Sequence, residues 1–219
     1  MRPIKFALAA LLLAACPAFA DGAAKELAGK VDKRYNALKA MKADFVQTFN
    51  GSGVSRSESG TLSLKRPGKM RWDYRSPREK LFVSDGKTAI FYVPGDKQAR
   101  KAPVKKIDDL RTPLRFLLGK ARIVKEFDDI DIVNGAKLHS AGNVVIGGTP
   151  KHMADRISKI LFEVTKEGQI QYISIEEVDG SVTEFAFSNI QENLSMADSQ
   201  FKFTPPAGIE LVESQQLSD

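Results

Sequence analysis

Few residues of this 219-residue chain have side chains that do chemistry, and their spacing argues against any. Its two histidines, His139 and His152, lie in polar, loop-like sequence, and neither has a ligand partner at the helical spacing of a metal site. The acidic group Asp128, Asp129 and Asp131 has the residue types of an acid–base pair or a Ca²⁺ site, but not the calcium-loop spacing, so it reads as a solvated face. The stretch GGTPKH at 147–152 lacks phosphate-binding spacing and reads as a turn. A lipid hydrolase is the enzyme to weigh, yet no nucleophile sits with a base. No enzyme, metal or cofactor is therefore expected.

The remaining reactive side chain is Cys16, the one cysteine in the chain. It stands in LAACPAFAD, 13–21, which offers two cuts. Leu13-Ala14-Ala15-Cys16 fits lipidation on the cysteine, whereas Ala18-Phe19-Ala20 fits ordinary signal cleavage before Asp21. Arg2, Lys5 and the apolar run 6–15 form a secretory leader too short to span a bilayer. The expectation is an exported protein with residues 1–20 removed and 21–219 as a single domain, soluble unless Cys16 is lipidated. A mature chain without disulfides must be held by its own core, and about 200 residues suffice to bury one.

The net charge of +6 loses Arg2 and Lys5 with the leader. Basic clusters at Lys65, Arg66, Lys69, Arg71 and at Lys101, Lys105, Lys106 suit phospholipid head groups or an acidic partner better than nucleic acid, which an exported protein rarely meets. A simply solvated basic face is the plainer alternative.

The elements that carry these residues are mostly strands. Leu27, Val31, Tyr35, Leu38 and Met41 recur every three or four residues, which predicts an amphipathic helix over 24–41. Short alternating runs then follow, separated by turns at Asp85-Gly86, Pro94-Gly95-Asp96, Glu167-Gly168 and Asp179-Gly180. In LRTPLRFLLG, Thr112 suits a cap, Pro113 a first helical position and Gly119 an end, with Leu114, Leu117 and Leu118 on one face. The segment 121–133 fits a helix or a strand. Later strands are expected near 143–149, 157–165, 170–178, 181–190 and 201–212, the last interrupted by Pro205-Pro206. The sum is a mainly β (α+β) protein: one strongly curved antiparallel sheet with amphipathic helices against its concave side, leaving a pocket where they do not fill it.

The informative stretch is GTLSLKRPGKMRWDY, 60–74. Alternation puts Leu62, Leu64 and Arg66 on one face and Met70, Trp72 and Tyr74 on the apolar face of the next strand. A guanidinium among such residues needs acceptors, and neither strand offers a carboxylate on that face. The unpaired carbonyls at the C-terminal end of a covering helix are suitable partners; the alternative is that Arg66, beside Pro67, reaches solvent.

In these motifs the chain resembles the LolA-type periplasmic outer-membrane lipoprotein carriers. The marks are ADFVQTF, then G-x-L-x-L-K-R-P followed by R-W-D-Y, LFVSDGKTAIFY, TPLRFLLG and FKFTPPAGIEL, in that order over nearly all of the mature chain. The resemblance implies an incomplete β-barrel of about eleven strands with a helical lid over an apolar cavity. It implies Arg66 as the residue that latches the empty lid to its backbone, Met70 and Trp72 in the cavity wall and a lid leucine at Leu114. With the strand and helix faces, this makes Leu62, Leu64, Met70, Trp72, Tyr74, Leu114, Leu117 and Leu118 the expected cavity lining. The implied role is a periplasmic chaperone, expected to be monomeric, that carries acylated lipoproteins. It would take them from an ATP-driven (ABC) releasing transporter of the inner membrane to a receptor at the outer membrane. A lipid-anchored receptor of the same fold, or a carrier of another amphiphile such as a glycolipid, is the alternative.

Overall fold

A computed structural model describes residues 18–106, 116–117, 121–127, 129–214 and 217. Twelve strands form one curved open sheet in the order β12-β6-β5-β4-β3-β2-β1-β11-β10-β9-β8-β7. Helix α1, Ala18–Ala37, covers its concave face, and the one-turn helix α2, Ile123–Glu126, packs against α1.

The first half is a run of hairpins: β1 (Ala40–Gly51), β2 (Val54–Lys65), β3 (Lys69–Ser76), β4 (Lys80–Ser84), β5 (Thr88–Tyr92) and β6 (Gln98–Pro103). The second half comprises β7 (Asp131–Ile132), β8 (Val144–Gly148), β9 (Ile157–Val164), β10 (Ile170–Glu177) and β11 (Val182–Glu192). Pairing of β1 with β11 joins the halves, with Phe45 opposite Phe187 and Gln47 opposite Phe185. Gly60 lets β2 and β3 press together, because a Cβ there would lie 1.9 Å from the Asp73 carbonyl oxygen.

Three expectations change. The helix stops at Ala37, and Met41 lies in β1: from Met41 the buried positions fall at Met41, Ala43 and Phe45, a period of two. At its start α1 runs past residue 24 to Ala18, and its stripe includes Ala24 and Ala28, both fully buried. The expected last strand at 201–212 is a 3₁₀ turn, Asp198–Phe201, then an extended crossing through Pro205-Pro206, then β12, Glu210–Glu213. Prolines donate no ladder bond, so the chain crosses before pairing, and β12 joins β6 in parallel as a twelfth strand. The segment left open at 121–133 contains both the helical turn α2 and the short strand β7. Most of TPLRFLLG lies outside the described residues; Phe116 and Leu117 form a turn there, and both are buried.

The core is the filled space between α1 and the sheet. Leu27, Val31 and Tyr35 share one cluster with Leu62, Trp72, Phe162 and Phe185. The β9–β10 turn rests directly on α1. Gly168 has φ +79°, and a Cβ on it would stand 2.7 Å from the backbone of Lys30 and Val31, so the turn requires glycine on both counts.

Candidate functional site

The concave face is an aromatic wall. Trp72 meets Phe45 edge to face at 4.7 Å and Phe185 at 5.9 Å, and stacks on Tyr74 at 6.3 Å. Alternation along β2 and β3 brings Leu62, Leu64, Met70, Trp72 and Tyr74 to this wall, all buried. Leu117 joins them at 2 % exposure, while Leu114 and Leu118 lie outside the described residues. Sequence reasoning missed Phe45, Phe82, Phe162 and Phe185, although the same period of two in ADFVQTF and TEFAFS marks Phe45 and Phe185. It also missed Phe116, which packs on Phe162 at 5.2 Å and Phe127 at 6.0 Å.

Arg66 stands at one end of this wall, in the turn after β2. Its Nη2 donates to the carbonyl oxygen of Tyr35, in the last turn of α1, at 2.5 Å. Its backbone N–H donates to the Lys39 carbonyl at 2.9 Å. A helix leaves its last carbonyls without internal partners, so the guanidinium supplies a donor where α1 lacks one. A cleft of about 10 Å³ beside this contact is bordered by Leu38, Met41, Leu64, Arg66 and Leu117. That is room for about one water.

Tyr35 also holds the opposite half of the sheet. Its hydroxyl oxygen accepts from the Ile170 N–H at 3.0 Å. Burial pushes the phenol well above its ordinary pKa, so it stays neutral. Nearby, Arg34 Nε donates to Glu192 at 2.8 Å, and Asn193 Oδ1 accepts from the Lys39 N–H at 3.0 Å. The C-terminal end of α1 is therefore pinned to β2, β10 and the end of β11. Asp32 ties α1 to α2 by accepting from the N–H groups of Ile123 at 2.7 Å and Val124 at 3.3 Å. Burial raises the Asp32 pKa, against the lowering effect of those two bonds.

At the far end of the wall the facing residues are polar. Lys80, 8 % exposed, pairs with Glu58 at 2.5 Å and lies 4.9 Å from the Tyr74 ring centroid, while Tyr74 Oη donates to Gln47 at 3.1 Å.

The basic cluster is occupied within the chain. Lys65 and Lys69 reach Asp198 at 2.6 and 2.5 Å, Lys65 also donates to the Met196 carbonyl, and Arg71 pairs with Asp73 and donates to the Gln200 carbonyl. These contacts clamp the crossing segment to the back of the sheet. His139 lies in an exposed loop, as its polar surroundings suggest, yet it has partners: its Nδ1 lies 2.9 Å from the fully buried Glu163, and its ring stacks on Tyr172 at 4.0 Å. Burial opposes charge on Glu163, but bonds from His139, Asn143 and Ser140 hold its pKa below the usual carboxylate range. Asp129 and Asp131 are exposed, Asp128 is outside the described residues, and among the described residues no three His, Cys, Asp or Glu side chains gather as a metal set.

The family model described as outer membrane lipoprotein carrier protein LolA matches residues 36–204, the span from the end of α1 into the start of the crossing segment. The chain belongs to this family. Similar relatives include the outer-membrane lipoprotein carrier protein of Nitrosospira multiformis, 32% identical over 179 residues, covering 80% of this chain and 82% of that one. The protein of the same name from Pectobacterium carotovorum is 30% identical over 198 residues, 90% of this chain and 91% of that one. Among solved structures, the lipoprotein LppX of Mycobacterium tuberculosis shares the fold, with a TM-score of 0.54 at 11% identity over 80% of this chain and 98% of that one.

Proposed function

We propose that this chain is a periplasmic carrier that shelters the acyl chains of lipoproteins between α1 and the aromatic wall, without catalysis. Residues 1–20 act as a leader and 21–219 as one carrier domain. The inner-membrane ABC transporter loads it, and an outer-membrane receptor unloads it. Leu62, Leu64, Met70, Trp72, Tyr74, Leu114, Leu117 and Leu118 form the acyl-binding surface, and Arg66 latches the covering helix. The single observation that carries this reading is the Arg66 bond to the Tyr35 carbonyl, in a member of a family whose relatives are named lipoprotein carriers.

The energetics explain why a latch is useful. Each buried methylene of an acyl chain is worth about 0.8 kcal/mol, so full burial of several chains would bind too tightly for hand-over. Requiring cargo to displace helix contacts subtracts the cost of opening from that affinity. Among the described residues no helix is long and apolar enough to cross a membrane, and none is needed for this role.

The test is reconstitution. The protein is loaded with a triacylated lipoprotein and mixed with acceptor vesicles bearing the receptor. Cargo should appear in the vesicles only when both proteins are present. Failure to take up cargo, or hydrolysis of its acyl esters, overturns the proposal.

A further inference from the structure

Among the described residues, one buried side-chain polar atom has no hydrogen-bond partner: the indole Nε1 of Trp72. Trp72 is 0 % exposed and lies at the centre of the aromatic wall, opposite Leu62 on β2 and Phe82 on β4. An indole N–H is a donor and cannot accept. Stripped of water and left unpaired, it carries a standing cost that a phenylalanine here would avoid.

Its level in the wall indicates what should pair with it. Towards Arg66 the facing layer is apolar: Met70, Leu64 and Met41. In the other direction it turns polar, with Tyr74 bonded to Gln47 and Lys80 paired with Glu58. A chain whose methylenes lay on Met70 and Leu64 and whose polar head pointed towards Lys80 and Glu58 would have its first polar atom at Trp72. In an acylated ligand that atom is a carbonyl oxygen, of an ester or an N-acyl amide, and so an acceptor.

We infer that the Trp72 indole N–H is the donor that receives an acyl carbonyl oxygen of the cargo and so fixes how deep its chains enter. This deepens the carrier reading above and rests on it. The bond is available only when the wall is loaded, so it favours ligands with ester or amide carbonyls over equally greasy ones without them.

The chain has a single tryptophan, so one indole resonance reports this site without interference. Three synthetic lipopeptides serve as probes: a triacylated one, a dialkyl ether that keeps the N-acyl amide, and a dialkyl ether without the N-acyl chain, whose peptide carbonyls remain but whose lipid part is carbonyl-free. On ¹⁵N-labelled protein, the triacylated probe should move the indole proton downfield, and the carbonyl-free probe should not. The amide-only probe assigns the source, since a retained shift means the amide and a lost shift the esters. Trp72→Phe should weaken the triacylated probe about tenfold more than the carbonyl-free one, the effect of one hydrogen bond, with any packing loss common to both. Equal indole shifts for all three probes, or equal weakening in Trp72→Phe, overturn the inference and leave the carrier reading standing. If none of the three binds the unaltered protein, the carrier reading fails, and this inference falls with it.

Discussion

Replacing Arg66 with leucine should loosen the covering helix while leaving the wall intact. The guanidinium contributes one charge-assisted bond to the Tyr35 carbonyl, and such bonds are worth about 1.5–3 kcal/mol. Arg66 is half-buried, so solvent screening lowers this to about 1–2 kcal/mol, a factor of about 5–30 in the closed-to-open ratio. The Arg66 backbone bond to Lys39 survives the change, so the turn itself should hold. The empty variant should melt about 2–8 °C lower. Leucine also adds apolar surface beside the cleft bordered by Met41, Leu64 and Leu117. Both effects favour the loaded form, so cargo should bind at least as well and leave more slowly. Arg66→Lys keeps the charge without the planar fork and should fall between. The assay loads each variant with a triacylated lipoprotein and follows transfer to receptor-bearing vesicles. Hand-over at the normal rate by Arg66→Leu would refute the latch and reduce Arg66 to a helix-end tether.

Three further perturbations separate the parts of the site. Leu117→Asp places a carboxylate at a position 2 % exposed, at a cost of several kcal/mol, and should lower the melting temperature or abolish cargo retention; normal values for both would place Leu117 outside the site. Tyr35→Phe removes the acceptor for the buried Ile170 N–H and should cost about 1–3 kcal/mol in denaturant unfolding; an unchanged midpoint would show that β10 does not need this anchor. Glu163 has a depressed pKa, so its contribution to stability is present above its unfolded value of about 4.5 and is lost as pH falls through the lower folded value. Melting of Glu163→Gln should thus depend less on pH in that acid range, and curves parallel to the unaltered protein would assign the acid sensitivity elsewhere.

Much of the wall was legible because β-strand parity is strict. Once Leu62, Leu64, Met70 and Trp72 are assigned to strands, their facing follows. The expectation that β2 offers no carboxylate on that face fails, because β2 reaches back to Glu58, but that carboxylate is paired with Lys80 at the far end of the wall, and Arg66 is left with the helix-end carbonyl. Which carbonyl it finds was not legible, since backbone acceptors leave no trace in residue identity. Met41 was read as helical because Leu38 and Met41 keep a spacing of three across the junction between α1 and β1. The buried alanines of α1 escaped a search for large apolar side chains, although Ala24 and Ala28 are fully buried in the same core cluster as Trp72. The parallel pairing of β12 with β6 is a long-range event, set by a crossing clamped through Lys65, Lys69 and Arg71, and no local turn signal announces it.

The most direct test of the carrier reading is native mass spectrometry of the protein recovered from the cell envelope without detergent, together with its Cys16→Ser variant. The expected result for both is a soluble chain beginning at Asp21 with an intact acylated ligand bound. A chain retained in the membrane and beginning at a lipidated Cys16, released by Cys16→Ser, would make it an anchored receptor; a soluble chain that never carries acylated ligand would contradict carriage itself.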